Sequence, residues 1–230
     1  MNREDFSHGF DLLLNSFGGS PDIRLDEYEK SVFLTDAQEF YVLGLYNGND
    51  RDREGFEHTE EMRRYLSTLI REANLSPIEN STGILGMESK SKFFTLPDNL
   101  WFITYENVKI SDGKCEEMMT QEVYPVRQDE YHKIRKNPFR GANERRALRL
   151  DLSGGVVEII SKNQVTSYYV RYLRKLKPIV LEDFTGDISV NGVSVATECE
   201  LPESLHERIL ELAVQMALRS RGVNNNNENK

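Results

Sequence analysis

Four arginines, Arg140, Arg145, Arg146 and Arg149, preceded by Lys133, Arg135 and Lys136, form the best-defined polar constellation in the chain. Guanidinium groups bind carboxylates and phosphates through paired N–H donors. Tyr131 and Phe139 lie among them, and Arg171, Arg174, Lys175 and Lys177 follow beside Tyr168, Tyr169 and Tyr172. Such a mixture suits an acidic protein surface, or phosphates with stacked bases. Charge counted by segment favours the protein surface. Residues 127–177 hold 13 basic and 5 acidic side chains, whereas 1–80 hold 8 and 17, 81–126 hold 4 and 7, and 178–230 hold 4 and 9. A net charge of −9 argues against a protein that coats nucleic acid. The acidic segments are ready partners for the basic one, with a solvated sheet face as the plainer alternative.

The other chemistry-bearing residues form no site. Gly83-Ile84-Leu85-Gly86 lacks the Lys and Ser/Thr of a phosphate-binding loop. Asp129, Glu130 and His132 are spaced i, i+1, i+3, which does not put three ligands on one helix face. His206 falls inside an apolar helical arc with Glu203 one turn before it, the setting of a satisfied helical histidine rather than of a general base. His8 and His58 are isolated, and Cys115 and Cys199 are too few and too far apart for a disulfide framework or a metal knuckle. No catalytic residue, cofactor or metal is predicted.

The elements that must position the arginines are of two kinds. Phe6, Phe10, Leu13, Leu14 and Phe17 trace one helical stripe, stopped by Gly18-Gly19-Ser20-Pro21. Thr35 with Gln38 reads as a capping box opening a helix through Tyr46, closed by Asn47-Gly48 and followed by a polar loop over 48–57. Thr59 opens a third helix carrying Met62, Tyr65, Leu66, Leu69, Ile70 and Ala73, ending before Pro77. From about residue 91 the period becomes two. Strands are predicted over 92–96 and 100–110 around a Pro97-Asp98-Asn99 turn, then over 147–152 and 156–161 around Ser153-Gly154-Gly155, over 167–173 and over 179–181. A short helix over 129–136 interrupts them, and Asn191-Gly192 predicts a type I′ hairpin tip on the sheet domain.

Pro202 opens the last helix, where Leu205, Ile209, Leu212, Ala213 and Met216 form one stripe and Leu210, Val214, Ala217 and Leu218 a second. Their combined arc of about 240° exceeds the roughly 100° of a helix lying on one surface. This helix is therefore the centre of the N-terminal bundle, or it meets a neighbouring subunit through Leu210, Val214 and Leu218. The fold class is α+β: a helical bundle of 1–80 completed by 200–222, an antiparallel sandwich or barrel-like sheet over 88–198, and a disordered polar tail over 223–230. No apolar run reaches the about 20 residues of a membrane span, and the first residues lack the order of a secretory signal. The chain is expected to stay where it is made, or in a particle assembled there.

Residues 25–38, 56–64, Asn137-Pro138-Phe139-Arg140-Gly141 and 201–207 together resemble the virion structural proteins of crAss-like tailed bacteriophages, in particular the ring proteins that extend the portal into the tail. The resemblance runs over about residues 6–220, and the 201–207 block is also similar to head-tail adaptors of other tailed phages. It implies a non-enzymatic virion protein assembled in the host cytoplasm. Its partners would be its own copies in a dodecameric ring, the portal protein, a neighbouring tail ring or tail-hub protein, and double-stranded DNA in passage. Arg140, Arg145, Arg146 and Arg149 would provide charged docking and Leu210, Val214 and Leu218 apolar docking. The rival reading is a monomeric nucleic-acid-binding or regulatory module using 127–177.

Overall fold

The computed structural model describes residues 1–18, 24–47, 60–78, 86–87, 91–111 and 119–221. The predicted stop after Gly18, the 48–57 loop, Thr59, His58, Gly83, Cys115 and the 223–230 tail lie outside them. Two compact units divide the chain, Met1–Thr68 with Leu176–Lys230, and Leu69–Lys175. Helices come from both ends and a sheet from the middle, an α+β arrangement.

In the helical unit, α1 (Arg3–Gly18) opens on a reciprocal cap: the Asp5 N–H donates to Asn2 Oδ1 at 2.8 Å and the Asn2 N–H to Asp5 Oδ2 at 2.9 Å. Phe6, Phe10 and Leu14 of the predicted stripe are buried, but Phe17 is half exposed. The second helix, α2 (Glu27–Asn47), starts nine residues earlier than predicted, because Asp26 and Glu29 supply the capping box in place of Thr35 and Gln38, with Glu29 N–H to Asp26 Oδ1 at 2.7 Å. Thr35 and Gln38 are buried mid-helix instead. The predicted third helix is cut to α3 (Glu60–Leu66) and one 3-10 turn, since 70–75 is a strand.

The last helix, α5 (His206–Ser220), follows a 3-10 turn over Glu203–Leu205 and packs on α1 and α2. Ile209, Leu210, Ala213, Val214, Ala217 and Leu218 are all buried, which accounts for the wide apolar arc. A β-carbon on Gly9 of α1 would lie 2.7 Å from Leu210 Cδ2, so the glycine sets how closely α1 approaches α5.

The sheet unit contains β1 (Ile70–Leu75), β2 (Lys92–Thr95), β3 (Leu100–Ser111), β4 (Met119–Pro125), α4 (Tyr131–Arg135), β5 (Arg146–Asp151), β6 (Val156–Ile160) and β7 (Gln164–Arg174). The strand order is β1-β7-β3-β4-β5-β6-β2. The Pro97–Asn99 turn joins two strands that do not pair with each other, since β2 pairs with β6 while β3 lies between β7 and β4. The β5–β6 hairpin forms as predicted. An all-antiparallel sheet does not: β4 and β5 are parallel, because the chain crosses over through α4 between them. The sheet's two edges meet where the Ile78 N–H donates to the Phe93 carbonyl at 2.8 Å, beyond the end of β1, which curls the sheet into a half-barrel. Its core is Phe94, Val108, Ile110, Val157, Ile159, Tyr168 and Val170 with their neighbours.

The Asn191-Gly192 turn has the two positive φ angles of type I′, 48° and 82°, under a single Val190–Val193 bridge. It belongs to the helical unit, not to the sheet as predicted, and so does the short extended segment 179–181.

Candidate functional site

The first part of the basic segment, through Arg145, is carried by the β4–β5 crossover, and Arg146 and Arg149 follow on β5. Tyr131 and Ile134 of α4 are buried against Leu148, Leu150 and Ile160, so the sheet's second face is covered here and the following loop is anchored at its start. Asn137 then folds the chain over: its Oδ1 accepts the N–H groups of Phe139 at 2.9 Å and Arg140 at 3.2 Å, and its carbonyl accepts the Gly141 N–H at 2.8 Å. At Gly141 a β-carbon would meet the carbonyls of Asn137, Ile134 and Arg135 at 2.9, 3.1 and 3.3 Å, all backbone, so only glycine closes this turn.

Gln121, buried on β4, holds the other end. Its Nε2 donates to the carbonyls of Asn143 at 3.1 Å and Glu144 at 2.7 Å, while Ser161 Oγ donates to its Oε1 at 2.7 Å. The Arg145 N–H donates to Asn143 Oδ1 at 2.9 Å. Both ends of the loop are thus fixed by hydrogen bonds.

These contacts sort the four arginines. Arg140 and Arg145 are exposed, and no partner holds either guanidinium among the described residues. Arg146 is half-buried, with Cζ 4.2 Å from the centre of the Tyr124 ring and Nη1 donating to the Phe139 carbonyl at 2.9 Å, so it braces the loop. Arg149, expected at a docking surface, lies inside the sheet unit. Its Nη1 donates to Glu106 Oε2 at 2.8 Å, Tyr168 OH donates to the same oxygen, and its Nε is 2.9 Å from Asp151 Oδ1. Burial works against the Arg149 charge, but Glu106 and Tyr168 outweigh it and keep the guanidinium protonated. Burial also pushes the Glu106 carboxyl up, an effect that Arg149 and the Tyr168 hydrogen bond offset only in part. Burial, then the Glu106 carboxylate, holds the Tyr168 hydroxyl above its usual range.

Of the two aromatic residues noted with the arginines, Tyr131 is core while Phe139 is 84% exposed, the most exposed of the large apolar side chains among the described residues. Leu210, Val214 and Leu218, expected to meet a neighbour or the bundle, are 5%, 0% and 5% exposed and fill the core of the helical unit. His206 is buried with Nε2 2.9 Å from the Leu201 carbonyl and its ring against Phe6, a satisfied histidine. Asp129 pairs with Arg127 at 3.1 Å, and the described residues hold no group of three His, Cys, Asp or Glu that would bind a metal ion. No helix among them is long and apolar enough to cross a membrane.

What the site offers is therefore a braced loop with an exposed aromatic ring and two arginines that have no side-chain partner among the described residues. A family model described as phage tail ring protein 3/4 matches residues 1–229. Ring protein 3 of Bacteroides phage crAss001 is 45% identical over 224 residues, 96% of this chain and 96% of that protein. Ring protein 4/5 of the same phage is 30% identical over 226 residues, 94% of this chain and 92% of its own length.

Proposed function

Since the chain belongs to the phage tail ring protein 3/4 family and is a ring protein of a phage virion, we propose that it serves as a structural head-tail connector. In this reading many copies close a ring, dodecameric to match a portal, which extends the portal channel toward the tail. Double-stranded DNA passes through the ring, and the portal and an adjacent tail ring or hub protein cover its two faces. The role is structural rather than enzymatic.

One observation carries the proposal beyond the family. The helical unit holds 24 acidic and 12 basic side chains, whereas the sheet unit holds 14 and 17. Two units of opposite net charge on each copy suit heterologous contacts, in which a patch on one subunit meets a different patch on the next. Identical joints of this kind close a ring when the rotation per joint divides a full turn. An acidic wall would keep DNA phosphates from adhering during passage, which a uniformly basic protein would not.

Cryo-electron microscopy of intact particles tests this. The expected result is density for this chain as a closed ring between portal and tail, around a channel wide enough for a duplex. Absence from the particle, or isolated single copies, would overturn the reading. Tight, salt-sensitive DNA binding by a free monomer would favour a nucleic-acid module.

A further inference from the structure

Residues 137–146 combine two properties that seldom meet in a surface loop. The backbone is fixed from both ends by Asn137, Gln121 and Arg146, through bonds of 2.7 to 3.2 Å. At the same time the loop exposes 84% of Phe139 and leaves Arg140 and Arg145 without side-chain partners among the described residues. Lys133 and Lys136, just before it, are exposed and equally unpaired among those residues. A rigid presentation removes the ordering cost of binding, and an aromatic ring with arginines is the composition that dominates binding energy at interfaces.

We propose that this loop is a docking knob, in which Phe139, with Arg140 and Arg145 on the same loop, seats on the acidic helical unit of a second copy of this chain. The inference rests on the ring reading above and deepens it by naming the joint. Charge complementarity selects the occupant. A surface for two unpaired guanidinium groups must be anionic, and one for a bare phenyl ring must offer apolar contact. The helical unit has a net charge of −12 and exposes Leu12, Phe17 and Phe40 at 69%, 50% and 52% on α1 and α2. DNA is the weaker candidate, because the rest of the chain would repel its phosphates.

The test places the photo-cross-linking residue p-benzoylphenylalanine at Phe139 in the full chain, assembles it into particles, irradiates them and maps the products by mass spectrometry. Mixing isotopically light and heavy copies separates contacts between copies from those within one. A cross-link to residues 1–47 or 176–221 of a second copy is the expected result. A cross-link to another virion protein, to DNA or only to the same copy overturns the knob while leaving the ring intact. So does the absence of any cross-link when the ring is present.

In parallel, the double variant R140E/R145E is expected to keep the wild-type melting temperature, since both side chains are exposed, while ring incorporation falls about tenfold or more. Unchanged incorporation refutes the knob alone. If the wild-type chain itself is missing from rings in the particle, the ring reading fails and the inference with it.

Discussion

Replacing Thr35 with Val tests how the helical unit holds its returning strand. Three buried polar side chains of α2, Ser31, Thr35 and Gln38, face an extended stretch and bond to every second residue of it. Gln38 Nε2 donates to the Lys177 carbonyl at 2.7 Å, Thr35 Oγ1 accepts the Ile179 N–H at 3.1 Å, and Ser31 Oγ accepts the Leu181 N–H at 3.0 Å. The match is geometric. Steps of three or four residues along a helix advance about 4.5 to 6 Å, somewhat short of the about 6.6 Å of two residues in an extended chain. Valine keeps the shape of Thr35 but leaves the buried Ile179 N–H without an acceptor, at a cost of about 1 to 3 kcal/mol. Taking about 2 kcal/mol, the melting temperature should fall by roughly 4 to 8 °C. Amide exchange over 177–181 should speed up about 30-fold if these amides open with the unit. Ser31→Ala should act in the same direction, and on the same amides. Wild-type stability and unaltered exchange at Ile179 in Thr35→Val would refute the claim that this side chain replaces a sheet partner.

Arg149→Met should destabilise the sheet unit by about 3 to 5 kcal/mol by leaving Glu106 buried without its cation. Chemical denaturation distinguishes this from a docking defect, which would leave the monomer's stability unchanged. Gly192→Val should cost about 1 to 2 kcal/mol by forcing a β-branched residue to positive φ, and a neutral effect on melting would discredit the type I′ assignment. Burial pushes the Cys199 thiol up to about 11. In a Cys115→Ser background the folded chain at pH 8 should therefore carry about one thiolate per thousand molecules and alkylate far more slowly than in urea. Its labelling rate should climb about tenfold per pH unit until the thiol titrates, and equal rates with and without urea would contradict this.

Local signals were legible in proportion to how local their cause is. Ser153-Gly154-Gly155 and Asn191-Gly192 specify turns through their own φ angles, and the wide apolar arc of α5 follows from its place between α1 and α2. The spacing of Thr35 and Gln38 satisfies two different demands. It fits a capping box, and it also fits a polar stripe on a buried helix face; the segment that decides between them, 177–181, lies about 140 residues away. Leu66, Leu69, Ile70 and Ala73 likewise continue a helical period, yet Ile70–Leu75 pairs with β7, Ala73 opposite Val170, and that long-range ladder overrides the local pattern. Alternation does not mark β4 in the sequence, because a glutamine, Gln121, occupies an inward position where the pattern calls for an apolar residue.

The arginines show why a charge count overstates a docking surface. Along β5, Ala147 joins the main core while Leu148 and Leu150 join the cluster beneath α4, so the strand is covered on both faces. Alternation then puts Arg149 on the Ala147 side, where Glu106 and Tyr168 receive it. The sequence holds a signal for this, because Arg149 stands between Leu148 and Leu150 with Ala147 two residues before it, a setting in which a cation has no route to water along its own strand. Arg146 is occupied by Tyr124 and the Phe139 carbonyl, and Arg171 by Glu72 at 2.7 Å. Of the positive charge of 127–177 that is left for a partner, Arg140 and Arg145 sit on the loop that Asn137 and Gln121 hold in shape, with Lys133 and Lys136 just before it. Because a charge that folding has already paired adds little to a docking contact, reversing Arg140 and Arg145 should weaken ring joints, whereas reversing Arg149 should unfold the subunit before any joint can form.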